Sequence, residues 1–255
     1  MDISQQGVAR KILWINPVAT DLYDAAMAEM FQQVTDPSTA VDVVSFPGIG
    51  PTHLEYNCYE MMVMPELMRT IRHAEEQGYD AAVIGCFYDP GLRAARELAK
   101  KMVVTAPAEA SLRLAATLGD TVSIIVGRRK WIPEMRENVH KYGYADKLSS
   151  FKVLEMGVHD FQKDHEDTKH RILSAAEEAV YKDGAEVVIL GCTIEFGFYQ
   201  EVQRHIGVPV LDATIAPLKY AEYLVELRER FGWGHSKIAG YEGPPEHEIS
   251  DWSLF

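Results

Sequence analysis

The chain has little cysteine, no surplus of positive charge and no long apolar run, and each shortage removes a class of protein. Three cysteines in 255 residues cannot build a disulfide framework, and none stands in the C-x-x-C spacing of a structural zinc site. Such usage fits a reducing compartment, and a cytoplasmic protein is expected. Lys and Arg number 25 against 38 Asp and Glu, a formal net charge of -13. The acidic residues are spread along the chain, which disfavours nucleic acid or an anionic membrane surface as partner. Residues Met1 to Lys11 are polar and lead straight into an apolar strand, so no secretory leader and no span of about twenty apolar residues is expected. Neither G-x-x-x-x-G-K-[ST] nor G-x-G-x-x-G occurs, leaving phosphate-cradling and dinucleotide readings without support. Nine histidines include His159, His165 and His170 in one polar run. Without H-E-x-x-H or comparable spacing this reads as a solvated helix start, and no metal site is expected. A small-molecule substrate is the partner that remains.

What is present is a core. Apolar residues make up 47% of the chain, and short β-rich runs alternate with segments of helical period, the pattern of parallel sheet covered by helices. Strands are expected at 11–15, 41–46, 80–85, 102–105, 121–126, 151–155, 186–191 and 208–211. An internal echo organises them. Gly78-Tyr-Asp-Ala-Ala-Val-Ile-Gly-Cys86 is matched by Gly184-Ala-Glu-Val-Val-Ile-Leu-Gly-Cys192, and each is followed by a helix and another short strand. The expected fold is therefore α/β, with two pseudo-symmetric lobes, each a roughly four-stranded parallel sheet flanked by helices. Residues 1–105 form the first lobe, with a helix at about 213–230 returning to it, and 106–212 form the second. The tail 231–255, with Trp233, Trp252 and Phe255, is expected to pack or to make a subunit contact in a homo-oligomer. Lobes facing each other about a twofold axis would open both central strand ends into one cleft, where ligands of open α/β sheets bind.

That arrangement would set Cys86 and Cys192 on opposite walls. A cysteine between a buried strand and a helix start lies near backbone N–H groups and the positive end of the helix dipole, which favours thiolate. Asp89-Pro90 is expected to cap the helix after Cys86, and Thr193 the one after Cys192. One thiolate can take a proton from a carbon acid while a thiol opposite returns one to the other face, so the pair points to racemisation or epimerisation. Cys58 has no counterpart in the repeat and reads as plain packing or partial exposure.

The run Cys86-Phe87-Tyr88-Asp89-Pro90-Gly91-Leu92 resembles the Cys-x-x-Asp-Pro-Gly-Leu segment of hydantoin and allantoin racemases, within the aspartate/glutamate/hydantoin racemase superfamily. Ile15-Asn16-Pro17, Pro107-Ala108-Glu109-Ala110-Ser111 and Leu190-Gly191-Cys192 extend the similarity over roughly residues 11 to 225. The resemblance implies that Cys86 and Cys192 are the acid and base, working without metal or pyridoxal phosphate and with no other cofactor. It implies further that Asn16 contacts a substrate oxygen. The backbone N–H groups of Phe87 and Thr193 follow each cysteine, placed to stabilise an enolate-like charge. Three departures bear on substrate. Asn16-Pro17-Val18-Ala19-Thr20 replaces Asn-Pro-Asn-Thr, so Thr20 is the candidate to supply the missing polar contact. Ala106-Pro107-Ala108-Glu109 replaces Gly-x-Gly-Glu or Gly-Pro-Gly-Glu, adding methyl groups where backbone would otherwise approach the ligand closely, with Glu109 a candidate substrate contact. Thr193-Ile194-Glu195-Phe196 is closer to the Gly-Cys-Thr-Glu style of amino-acid racemases than to hydantoin racemases.

The loop 46–56, punctuated by Gly and Pro, should lie at the same strand ends and could set specificity through Tyr56 or Glu55. Asp212 stands where the resembling family often carries an acidic residue in an Asp-Gly segment, and reads equally as the N-cap of the helix beginning near Ala216. Two other functions use the same scaffold: a cis–trans isomerase or decarboxylase employing a thiol, and a non-catalytic small-molecule-binding protein. Decarboxylation needs only one cysteine and a binding protein needs no thiol pair, so retention of both lowers those options.

Overall fold

The structure is a computed structural model and describes residues 10–251. Trp252 and Phe255, and the polar start up to residue 9, lie outside the described residues. The chain divides into two compact units. The first takes residues through Gly85, Pro90–Thr105 and everything from Leu218; the second takes Cys86–Asp89 and Ala106–Pro217.

In the first unit the elements run β1 (Arg10–Ile15), α1 (Asp24–Val34), β2 (Thr39–Val44), α2 (Asn57–Glu76), β3 (Ala81–Ile84), α3 (Leu92–Leu98) and β4 (Val103–Thr105). Their sheet has the order β2-β1-β3-β4 with every pairing parallel. The second unit repeats the plan with α4 (Pro107–Leu118), β5 (Val122–Val126), α5 (Ile132–Lys141), β6 (Leu148–Val153), α6 (His165–Tyr181), β7 (Val187–Leu190), α7 (Tyr199–Ile206) and β8 (Val210–Asp212). Its sheet order is β6-β5-β7-β8, again parallel throughout. Helix α8 (Ile215–Phe231) and a short α9 (Glu246–Asp251) are the last helices among the described residues. Two four-stranded parallel sheets with helices are thus the fold the sequence led us to expect.

Burial explains which runs were readable. Ala81–Ile84 and Val187–Leu190, the strands that precede the cysteines, are fully buried and apolar, as strands covered on both faces must be. The edge strands β2 and β6 are only half-buried, and both begin earlier in sequence than expected. In β6 the extra residues are Leu148, Ser149 and Ser150. Ser150 contacts Ser123 of β5 hydroxyl to hydroxyl at 2.8 Å, beside a register shift. An edge position accepts such polar residues, so hydrophobic pattern alone does not mark them.

Edge strand β4 is closed by side chains. The Val104 carbonyl accepts from Nε of Arg96 at 3.1 Å and from its Nη2 at 3.0 Å, and the Val104 N–H donates to Nε2 of His235 at 3.0 Å. A buried guanidinium and an imidazole from the C-terminal segment therefore occupy hydrogen-bonding groups that a further strand would use. Among the described residues no helix is long and apolar enough to cross a membrane.

Candidate active site

Cys86 follows β3 through Gly85, whose N–H makes the last rung to the Ile15 carbonyl at 2.7 Å. A Cβ at Gly85 would sit 2.7 Å from the Trp14 indole, so glycine is required here for space. Gly91 is different, with φ 62°, a left-handed conformation that favours glycine. The half-buried Cys86 begins a turn in which its carbonyl accepts from the Asp89 N–H at 2.9 Å.

Asp89 does not cap the helix that follows it, contrary to expectation. Its backbone is left-handed, φ 51°, and its carboxylate accepts from the N–H groups of Ala108 and Glu109, at 2.8 Å each, at the start of α4. Tyr142 donates its hydroxyl to the same carboxylate at 2.8 Å. Asn138 donates to the Tyr88 carbonyl at 2.7 Å, so α5 and the residue just after it hold the Cys86 turn at two places. Helix α3 starts only at Leu92, with Gly91 at its N-cap and no side-chain cap. Burial pushes the Asp89 carboxyl up to about 7, against the pull of its three donors.

At the second cysteine, Gly191 donates to the Ile125 carbonyl at 2.7 Å, and a Cβ there would lie 2.6 Å from that same oxygen. The two Gly-Cys pairs therefore share one device: a glycine pressed against the neighbouring central strand, with the thiol next along the chain. The expectation that Thr193 caps a helix is corrected. Cys192 itself occupies the N-cap of a single 3-10 turn, Thr193–Glu195, with its Sγ accepting from the Ile194 N–H at 3.5 Å. Helix α7 begins later, at Tyr199, so the polarity near this sulfur comes from a turn amide rather than from a helix dipole. Gln162 holds the turn from outside, donating to the carbonyls of Ile194 at 2.8 Å and Phe196 at 3.3 Å.

The other candidate residues divide between the units. In the first, Asn16 is buried, accepts from the Trp14 indole N–H at 2.6 Å and donates to Asp24 at 2.6 Å; Ser45 donates to the same Asp24 oxygen at 2.7 Å. These contacts fix the Asn16 amide at the mouth of β1. Thr20 accepts from the Leu22 N–H at 3.3 Å. The half-exposed Tyr56 stands against Tyr59, ring centroids 5.1 Å apart. In the second unit, Phe87 and Thr193 are buried, and the buried Glu109 carboxylate pairs with Arg113 at 2.8 Å. Asp212 does act as a cap, accepting from the N–H and hydroxyl of Thr214 and from the Ile215 N–H at 3.4 Å.

Sequence reading gave no role to Tyr142, Asn138, Gln162 or Asp24, and Glu195 was noted only as part of a motif. Tyr142 lies 53 residues from Asp89, and no local spacing announces such a contact. Among the described residues no group of three or more His, Cys, Asp or Glu is arranged to hold a metal.

Two parallel sheets of matching strand order, each ending its third strand in Gly-Cys, define the class of protein. Residues 12–221 match the family described as Asp/Glu/Hydantoin racemase, and the chain belongs to that family. It is 34% identical to a hydantoin racemase of Paenarthrobacter aurescens over 93% of this chain and 99% of that one. Among solved structures it resembles an allantoin racemase from Klebsiella pneumoniae, with TM-score 0.86 and 28% identity over 93% of this chain and 95% of that one. A liganded double mutant of arylmalonate decarboxylase shares the fold, with TM-score 0.67 and 17% identity over 85% and 93% of the two chains.

Proposed function

We propose that this protein is a cofactor-independent racemase or epimerase acting on a small carbon acid whose reacting carbon lies next to a carbonyl, with a hydantoin-like ring or an allantoin-like ureide as the leading substrate class. The observation that carries the reading is the repeated Gly-Cys strand end, at Cys86 and Cys192, in a chain of this family. The relatives named hydantoin racemase and allantoin racemase support the substrate class.

In the proposed mechanism one cysteine works as thiolate. Its sulfur takes the proton, an S–H bond forms as the C–H bond breaks, and the electron pair moves into the enolate. The other cysteine, as thiol, gives its proton to the opposite face, and the two exchange roles with each inversion. The N–H groups of Phe87 and Thr193 stabilise the enolate oxygen, and Asn16, fixed by Trp14 and Asp24, orients a substrate carbonyl. Thr20, Tyr56 and Glu109 complete the substrate contacts. Likeness to arylmalonate decarboxylase is of fold alone, and two thiols suit two-sided proton transfer better than decarboxylation.

The test is incorporation of solvent deuterium at the reacting carbon across hydantoins, ureides and amino acids. Turnover with exchange, lost in both Cys86→Ser and Cys192→Ser, is expected. Full exchange in either variant would sink the two-thiol mechanism, and carbon dioxide release from an arylmalonate would replace it with decarboxylation.

A further inference from the structure

The turn after Cys192 contains a carboxyl group that the proposed chemistry does not use. Glu195 is 0% exposed, and neither of its carboxyl oxygens reaches a hydrogen-bond partner among the described residues. The backbone amides of Cys192 and Gly191 lie on the side that favours its charge, but Gly191 already donates to Ile125. Asp212, at the end of β8 and itself buried, accepts from the Gly197 N–H two residues beyond Glu195; burial raises its carboxyl too, and its charge acts on Glu195. From outside, the clamp on the turn is the neutral amide of Gln162.

The two carboxyls are unequal. Asp212 accepts from Thr214 twice, from Ile215 and from Gly197, four donors that stabilise an ionised group, whereas Glu195 has none of comparable geometry. Two neighbouring buried carboxyls do not both ionise readily, and the one without donors keeps the proton. Burial accordingly drives Glu195 well above the ordinary carboxylate range, and the charge on Asp212 pushes it further in the same direction.

Glu195 is also tied to the cysteine. Its N–H donates to the Cys192 carbonyl at 3.0 Å, closing the turn whose Ile194 N–H meets the Cys192 sulfur. A negative charge on Glu195 would stand in the same single turn as a Cys192 thiolate, and like charges so placed oppose each other.

We infer that Glu195 is a positioning residue held as a neutral carboxylic acid by its sealed, donor-poor place beside Asp212, and that this neutrality is what leaves Cys192 free to ionise. Loss of the Glu195 proton at alkaline pH then opposes thiolate formation, so the titration of Cys192, and with it the pH dependence of turnover, spreads over two steps. The effect on turnover rests on the racemase reading; the thiol titration does not.

The experiment uses the full chain carrying Cys58→Ser and Cys86→Ser, which leaves Cys192 as the only thiol. Its rate of alkylation by iodoacetamide is followed against pH, with and without Glu195→Gln. At neutral pH the two proteins should show the same Cys192 reactivity within a factor of about two. At alkaline pH the protein with Glu195 should show a second inflection that the glutamine variant lacks. A tenfold rise in neutral-pH reactivity on Glu195→Gln would mean that Glu195 carries charge, and identical single-inflection curves would mean that it is not coupled to Cys192; either overturns the inference. Should the variant fail to fold, infrared spectra of wild-type protein labelled with carbon-13 at glutamate carboxyls provide the second measurement. A protonated, isotope-shifted carboxyl band at neutral pH is expected, and its absence overturns the inference equally. Absence of racemase activity with the titration intact would count against the proposed function alone.

Discussion

Asp89 carries a cost that depends on pH. Its carboxyl sits at about 7 in the folded chain against an ordinary 3.8, so the folded state holds a proton that the unfolded state releases. Its contribution to stability is therefore fully present below about pH 4 and is lost as pH rises through about 7, a change on the order of 4 kcal/mol at most. Asp89→Asn should remove this slope from urea unfolding measured between pH 4 and 8. At low pH, where the wild-type group is a carboxylic acid, the variant sets an amide NH2 that cannot accept where a hydroxyl oxygen stood, and it should cost about 1–3 kcal/mol. A wild-type slope equal to that of the variant would show that the α4 amides, not burial, rule this group. At this scale the sequence was legible in kind but not in direction. Asp-Pro-Gly announced a cap, yet the left-handed backbone at Asp89 turned the carboxylate toward α4, a helix whose proximity no neighbouring residue reports. Cys192 shows the converse: the cap there is the sulfur, and Thr193 drew attention only because hydroxyls are the commoner caps.

Among elements, the central strands were readable because they are apolar without interruption, and the edges were displaced because they are not. The same contrast predicts where substitutions hurt. Gly191→Ala would press its methyl on the carbonyl of β5, backbone that cannot turn aside, whereas Gly85→Ala meets the Trp14 side chain. Chemical denaturation should show both destabilised, by about 1–3 kcal/mol or more, with Gly191→Ala the worse. Equal stability of Gly191→Ala and wild type would refute the close approach. At the other margin of the first sheet, Arg96→Ala should free the Val104 carbonyl and open the β4 edge. A lower unfolding midpoint with concentration-dependent aggregation is expected on light scattering, and a monodisperse variant of unchanged midpoint would contradict it.

For the whole molecule, the duplicated plan was visible in the two Gly-Cys segments, since the residues that bury β3 and β7 also spell the repeat. The polar settings of the thiols were not visible. They are assembled from Asn138, Tyr142, Gln162 and Asp212, drawn together by folding from separate stretches of chain. The grouping of residues from Leu218 with the first unit bears on stability. From α8 the buried Leu218, Ala221 and Val225 contribute to the first unit's core, and Glu222 accepts from the Asp36 N–H at 3.0 Å. A chain ending at residue 214 should therefore lose cooperative unfolding of the first unit, read as a missing or broadened transition by circular dichroism. A transition of undiminished amplitude would show that α8 is dispensable.

The two glycines that precede the cysteines have a consequence for anyone mapping this protein by saturation mutagenesis under selection for activity. Gly85 and Gly191 should score as intolerant as the thiols themselves, although in the proposed chemistry neither has a side chain to offer a substrate. A ranking by fitness alone would place four residues in the chemistry where two belong. Measuring folded abundance alongside activity would separate them, because the glycine variants should lose both and the Cys→Ser variants activity alone.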